Sequence, residues 1–247
     1  MIEVRDLVKR YRDLVAVDGL TFTVGKGEIV GFLGPNGAGK STTMRILTGF
    51  LPATSGTAKV AGFDVFEEPR QARRRIGYLP EVPPLYDAMT VREQLRFAAE
   101  LKGMGRALLA GEVERVALLT GVGGVLDRLT VNLSKGFRQR VGIAQALIGD
   151  PEVLILDEPT VGLDPIQIRE VRDLVRSLGG RHTVILSSHL LPEVAMTCSK
   201  VLVLNSGRMV DFDTLDGLIA RHLPGRKVTL DDIAFLEEIF GKLVTPA

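Results

Sequence analysis

The chain has 247 residues, 45% hydrophobic and 25% charged, with 31 Lys+Arg against 30 Asp+Glu. This ordinary globular composition leaves room for one large α/β domain or two small ones, and a net charge of +1 provides no global field to attract nucleic acid. The single cysteine, Cys198, excludes an intrachain disulfide and a multi-cysteine metal site; it is expected to be small buried filler in a reducing compartment.

The first residues, MIEVRDLVKRYRD, contain no apolar core of signal-peptide length. No stretch approaches the roughly 18–20 uninterrupted apolar residues of a membrane span. The chain is therefore expected neither to cross a membrane nor to be exported.

MIEVRDLVKRY and LTFTVGKGEIVGFLG read as early strands, the second ending in a glycine-rich turn. A helix is expected from Ser41 to about Gly49. GTAKVAGFDV then reads as a strand pair turning at Gly62. From about Val82 to Gly149 the pattern becomes helical. Thr90 and Glu93 fit a capping box, and the helix behind them carries Val91, Leu95 and Ala98 inward. EVERVALLTGV is a second helix.

LSKGFRQR opens a third helix. Ser134 can cap it, and Phe137, Val141, Ala144 and Ile148 share one face. Read alone, this is a solvated polar helix start; the alternative is one half of a nucleotide site. EVLILDE and HTVILSSH are short apolar runs with a helical pattern between them, Gln167 to Leu178, which is a βαβ rhythm. KVLVLNSGRMVDFD reads as a hairpin turning at Ser206-Gly207. The tail places Ile233, Leu236, Phe240 and Leu243 at helical spacing, for packing onto its own core or for an interaction.

GPNGAGKS, Gly34 to Ser41, matches G-x-x-x-x-G-K-[ST] after an apolar strand and before a helix. Glycines let backbone N–H groups approach phosphate oxygens without a Cβ in the way, and the helix adds its positive end. The expected cradle runs through Gly34, Pro35, Asn36, Gly37, Ala38 and Gly39 into Lys40, Ser41 and Thr42. Lys40 can reach the β- and γ-phosphates, and the Ser41 hydroxyl can ligate Mg²⁺.

VLILDEP brings Asp157 and Glu158 to the carboxyl end of a buried strand, where open α/β sheets bind ligands. Alone it could be a strand leaving the core. Beside a phosphate loop, Asp157 becomes a Mg²⁺ ligand acting through water, and Glu158 the group that orients and deprotonates an attacking water. ILSSH ends a neighbouring strand at His189, which is either structural or a donor near the γ-phosphate.

Gly34–Ser41, LSKGFRQR, VLILDEP, VGLD and SSH stand in an order and spacing that resemble the ATP-binding subunits of ABC transporters, over most of residues 1–215. The likeness is strongest to subunits serving export-type permeases, where YLPE and LSKG variants occur. It implies an α/β fold: a P-loop NTPase core with a parallel-rich sheet, an antiparallel β subdomain and an inserted helical subdomain at about 83–149, with a short helical extension over 216–247.

The resemblance also implies function. The subunit would bind and hydrolyse ATP with Mg²⁺, pair head to tail with a second copy or a close paralogue, and drive an integral membrane permease subunit on a separate chain. Its expected place is the cytoplasmic face of the cell membrane, held there by that permease, with no nucleic-acid partner. A soluble relative that remodels DNA or ribosomes is the alternative, and a small-molecule P-loop kinase would leave the LSKG turn unexplained.

Residue by residue, LSKG matches the signature loop, so Ser134 and Gly136 would close on the γ-phosphate held by the partner. Tyr11 matches the aromatic that stacks on adenine, although it also reads as a half-exposed strand tyrosine. Asp164 matches the loop crossing the dimer interface, and His189 the γ-phosphate sensor. Glu81 stands where many relatives have glutamine; it can ligate Mg²⁺ but cannot donate a hydrogen bond while ionised. Lys135 and Phe137 replace the commoner glycine and glutamine, and Lys135 either adds charge toward phosphate or faces solvent.

Overall fold

A computed structural model describes residues 1–222 and residue 241. The expected helix through Ile233, Leu236, Phe240 and Leu243 lies outside the described residues. In chain order the first elements are β1 (Ile2–Tyr11), β2 (Leu14–Val24), β3 (Ile29–Leu33), α1 (Lys40–Leu47), β4 (Ser55–Val60) and β5 (Phe63–Asp64). Next come α2 (Pro69–Arg75), β6 (Ile76–Leu79), α3 (Val91–Leu101), α4 (Arg106–Thr120) and α5 (Lys135–Leu147). The last are β7 (Val153–Leu156), α6 (Pro165–Leu178), β8 (Thr183–Ser188), α7 (Leu191–Thr197), β9 (Lys200–Asn205), β10 (Arg208–Asp213) and α8 (Leu215–His222).

These elements make the expected α/β architecture. One sheet runs β10-β9-β3-β8-β7-β6, parallel except for the edge hairpin of β9 and β10. Its strands read as unbroken apolar runs because both faces are covered, and alternate residues serve opposite cores. Ile29 and Leu33 of β3 pack with the helices α3–α7, whereas Val30 and Phe32 pack toward α1 and the second sheet. Leu154 and Leu156 divide from Val153 and Ile155 in the same way. The second sheet, β2-β1-β4-β5, is antiparallel, with one face on this second core. Phe22 of β2 meets Phe32 edge to face, with ring centres 5.5 Å apart.

The helices α3, α4 and α5 stand between β6 and β7 in the chain. The capping box at Thr90 and Glu93 forms as expected: Glu93 N–H donates to Thr90 Oγ1 at 3.2 Å, and Thr90 N–H to Glu93 Oε2 at 2.8 Å. The inward face of α3 is Val91, Leu95 and Ala99, with Ala98 only half-buried, one position away from the expected stripe. The helix expected from Ser41 starts one residue earlier and ends at Leu47, before Gly49. Two features were absent from the sequence reading, namely the α2–β6 pair and helix α7. Helix α7 lies against β3 so closely that a Cβ at Gly31 would overlap Val194 and Cys198. Cys198, expected as buried filler, is half-buried there and packs against the core, and desolvation pushes its thiol above the ordinary range.

The β9–β10 hairpin turns at Ser206 and Gly207, with φ of 50° and 80°. This is the left-handed pair that two-residue hairpins favour. The turn touches both the loop before α1 and strand β2: Gly207 N–H donates to the Ala38 carbonyl at 3.1 Å, and Asp18 N–H of β2 to the Gly207 carbonyl at 2.8 Å.

Candidate functional site

Because β3, β6, β7 and β8 run parallel, their carboxyl ends share one edge of the sheet. That edge carries Gly34 after β3, Glu81 after β6, Asp157 and Glu158 after β7, and His189 after β8. A cavity of about 350 Å³ opens there. It is lined by Tyr11, Pro35 to Thr42, Glu81, Glu158 and His189, and also by Leu14, Ala16 and Val161. Thus one cavity collects most of the residues singled out in the sequence.

The loop from Gly34 to Gly39 is shaped by backbone that only glycine adopts easily. Gly37 and Gly39 have φ of 81° and 101°, and a Cβ at Gly39 would meet the Ala16 carbonyl at 2.5 Å. Gly39 precedes α1 without any side-chain cap, and the first turn holds no acidic residue. The first N–H groups of α1 therefore face the cavity with no side-chain acceptor, which suits an anion.

Lys40 is buried, 5% exposed. Its Nζ donates to the Gly34 carbonyl at 2.6 Å and the Pro35 carbonyl at 3.3 Å, and stands 3.5 Å from Glu158 Oε1. Glu158 is 8% exposed and has φ of 48°, a left-handed backbone at a non-glycine residue. Its N–H donates to Ser187 Oγ at 2.7 Å, and its Oε2 lies 3.0 Å from His189 Nδ1. The carboxylate thus stands between a buried ammonium and an imidazole nitrogen.

Asp157 lies just behind the cavity. Its Oδ1 accepts from Ser41 Oγ at 3.0 Å and from Ser187 Oγ at 2.7 Å. Ser41 and Asp157 are hard oxygen donors of the kind Mg²⁺ takes when phosphates and waters complete its shell, so the residues present fit that ion. Among the described residues no group of three or more His, Cys, Asp or Glu could hold a metal unaided. Tyr78 of β6 lies behind Asp157. Burial, then the Asp157 charge, push its phenol upward, and Arg45 opposes them.

Tyr11 sits at the end of β1, 43% exposed, opposite Leu14, with Lys9 Nζ 5.0 Å from its ring centre. Glu81 is exposed at the cavity opening and has no hydrogen bond or ion pair among the described residues. Ser134, Gly136 and Asp164 do not line the cavity. Ser134 Oγ accepts from Phe137 N–H at 3.4 Å, capping α5. Asp164 caps α6, accepting from Ile166 N–H and Gln167 N–H at 3.0 and 2.9 Å. Gly136 lies under the Gln167 side chain. The Lys135 ammonium lies over Gly162, where a Cβ would overlap Nζ. Leu14, Ala16 and Val161 carry no chemical signal, and it is the fold that sets the Ala16 carbonyl against Gly39.

A family model described as ABC transporter matches residues 17–161. The bacitracin transport ATP-binding protein BcrA of Bacillus licheniformis is 38% identical over 234 residues, 94% of this chain and 76% of that protein. The Nod factor export ATP-binding protein I of Burkholderia orbicola (strain AU 1054) is 38% identical over 214 residues, 85% of this chain and 69% of that protein. A solved structure described as the ATP-binding subunit of an ABC transporter superposes with a TM-score of 0.84 at 30% identity, covering 98% of this chain and 99% of that one.

Proposed function

The chain belongs to the ATP-binding subunits of ABC transporters and is an ATPase, and from that premise we propose that it dimerises around two MgATP to drive a separate membrane-spanning permease. The carrying observation is the location of the signature turn. Ser134 and Gly136 stand outside the cavity that holds Lys40, Glu158 and His189. The start of α5 therefore serves no nucleotide bound in its own chain, and a second copy or close paralogue brings it to one.

In this reading residues 1–215 are the ATPase domain and Tyr11 stacks on adenine. The Gly34–Thr42 loop wraps the phosphates, and the γ-phosphate replaces Glu158 as the counter-ion of Lys40. Ser41 and Asp157 hold Mg²⁺, with Glu81 at the opening as a further candidate oxygen donor. When bound, the ion would supply charge neutralisation at the phosphates. Glu158, released from Lys40, orients the attacking water and accepts its proton, while His189 supports that carboxylate and meets the γ-phosphate. ATP favours the closed pair, and hydrolysis removes the shared contacts that hold it.

The export named for the Nod factor protein favours export as the direction. The permease would contact the helical insert near the Glu81 loop and hold the subunit at the inner face of the cell membrane. Among the described residues no helix is long and apolar enough to cross a membrane. Purification from gently solubilised membranes tests this. An integral membrane protein is expected to accompany the chain, and Glu158→Gln is expected to sediment as a dimer when saturated with ATP. Hydrolysis stimulated by nucleic acid, with no membrane partner recovered, would overturn the reading in favour of a soluble remodelling ATPase.

A further inference from the structure

One carboxylate outside the cavity touches both segments that carry Glu158 and His189. Glu193, in the first turn of α7, accepts a hydrogen bond on Oε2 from Thr160 Oγ1 at 2.5 Å and from Ser188 Oγ at 3.1 Å. Thr160 stands two residues after Glu158, and Ser188 one before His189. Both hydroxyl residues are buried, at 8% and 1% exposure. Ser188 Oγ also accepts from Leu190 N–H at 3.0 Å, which fixes the turn entering α7. Glu193 itself does not line the cavity.

We propose that Glu193 is a positioning residue for hydrolysis: by holding Thr160 and Ser188 on one oxygen, it sets the 3.0 Å approach of His189 to Glu158. The proposal rests on Glu158 being the group that activates water. Behind Thr160 and Glu193 lies a space of about 30 Å³, walled also by Pro159, Arg172 and Met196. Arg172 Nε is buried against it without a hydrogen bond, 3.5 Å from Asp173. Side-chain packing is thus incomplete behind the loop, and its left-handed start at Glu158 gains from a tether. The tether requires an acceptor that serves two hydroxyl donors at once. A carboxylate or an amide oxygen meets that need; a methyl group does not.

The test measures steady-state hydrolysis, equilibrium ATP binding and thermal melting of the full chain. Glu193→Ala is expected to lower kcat about 10- to 100-fold, the scale of a misplaced catalytic group, with KM and ATP affinity close to wild type. Glu193→Gln keeps the accepting oxygen and is expected to restore most of kcat. Thr160→Val should cost little more when added to Glu193→Ala, because both act through one contact. Unchanged kcat in Glu193→Ala overturns the proposal. So does a Gln variant as impaired as Ala, or a double variant whose losses multiply. If Glu193→Ala does not fold, Glu193→Gln and Thr160→Val alone decide, since the proposal requires Thr160→Val to lose kcat while keeping ATP affinity. Glu158→Gln in the same assay separates the two claims. Near-normal turnover there removes the role of Glu158, whereas a dead Glu158→Gln beside an unaffected Glu193→Ala removes only the role of Glu193.

Discussion

At the start of α1 no side chain caps the helix, because Gly39 stands there with φ of 101°; at the start of α5 the Ser134 hydroxyl accepts from Phe137 N–H at 3.4 Å. The first start is sunk among Lys40, Asp157 and Glu158, all buried, while Ser134 and Lys135 are exposed. In the proposed dimer both would present a positive helix end to the same kind of ligand. The contrast teaches a difference in design: one end is left uncapped and enclosed, where an anion can complete it, and the other is satisfied by its own long cap at the surface.

Breaking the enclosed half should have the largest effects. Glu158→Gln is expected to lower the hydrolysis rate about 10²- to 10⁴-fold, the usual contribution of a general base, measured as phosphate release. ATP affinity should persist, because the amide relieves Lys40 of its carboxylate partner without touching the cradle. Lys40→Ala is expected to weaken ATP binding about 10- to 100-fold, corresponding to a charged hydrogen bond of roughly 1.5–3 kcal/mol, read by equilibrium titration.

The exposed half sharpens the comparison through smaller and differently distributed effects. Ser134→Ala should leave ATP binding to the single chain unchanged while reducing hydrolysis in the assembled pair. Its cost to folding should lie at the low end of cap losses, about 0.5 kcal/mol, because the cap is long. Asp164→Ala removes two well-formed cap bonds and should cost folding about 1 kcal/mol, seen in denaturant titration. If Ser134→Ala weakened nucleotide binding by an isolated chain, the division between the two helix starts would collapse.

The enclosed half was also the more legible in the sequence. Its chemistry is local: Gly34–Ser41 is contiguous, and Asp157, Glu158 and His189 each end an apolar strand. The parallel register of β3, β7 and β8 then brings those ends together. The β9–β10 turn was legible for the same reason, since Ser206-Gly207 carries its own backbone preference. What was missed depends on distant partners. Strand β6 is four residues long behind the arginines of α2, and only its pairing with β7 makes it a strand. Helix α7 spans seven residues with a proline in its first turn, too short for a periodic signal. Ala16 and Glu193 carry no motif, and they matter only through what the fold sets beside them: the Gly39 backbone for one, Thr160 and Ser188 for the other.

The hairpin turn at Ser206-Gly207 forms one bond that reaches the Ala38 carbonyl of the phosphate loop. An amide so placed is a spectator to the chemistry yet a witness to the loop's rigidity. Its rate of deuterium uptake, followed with and without nucleotide, would register how firmly the bound phosphates clamp that loop, from a residue that need never touch them.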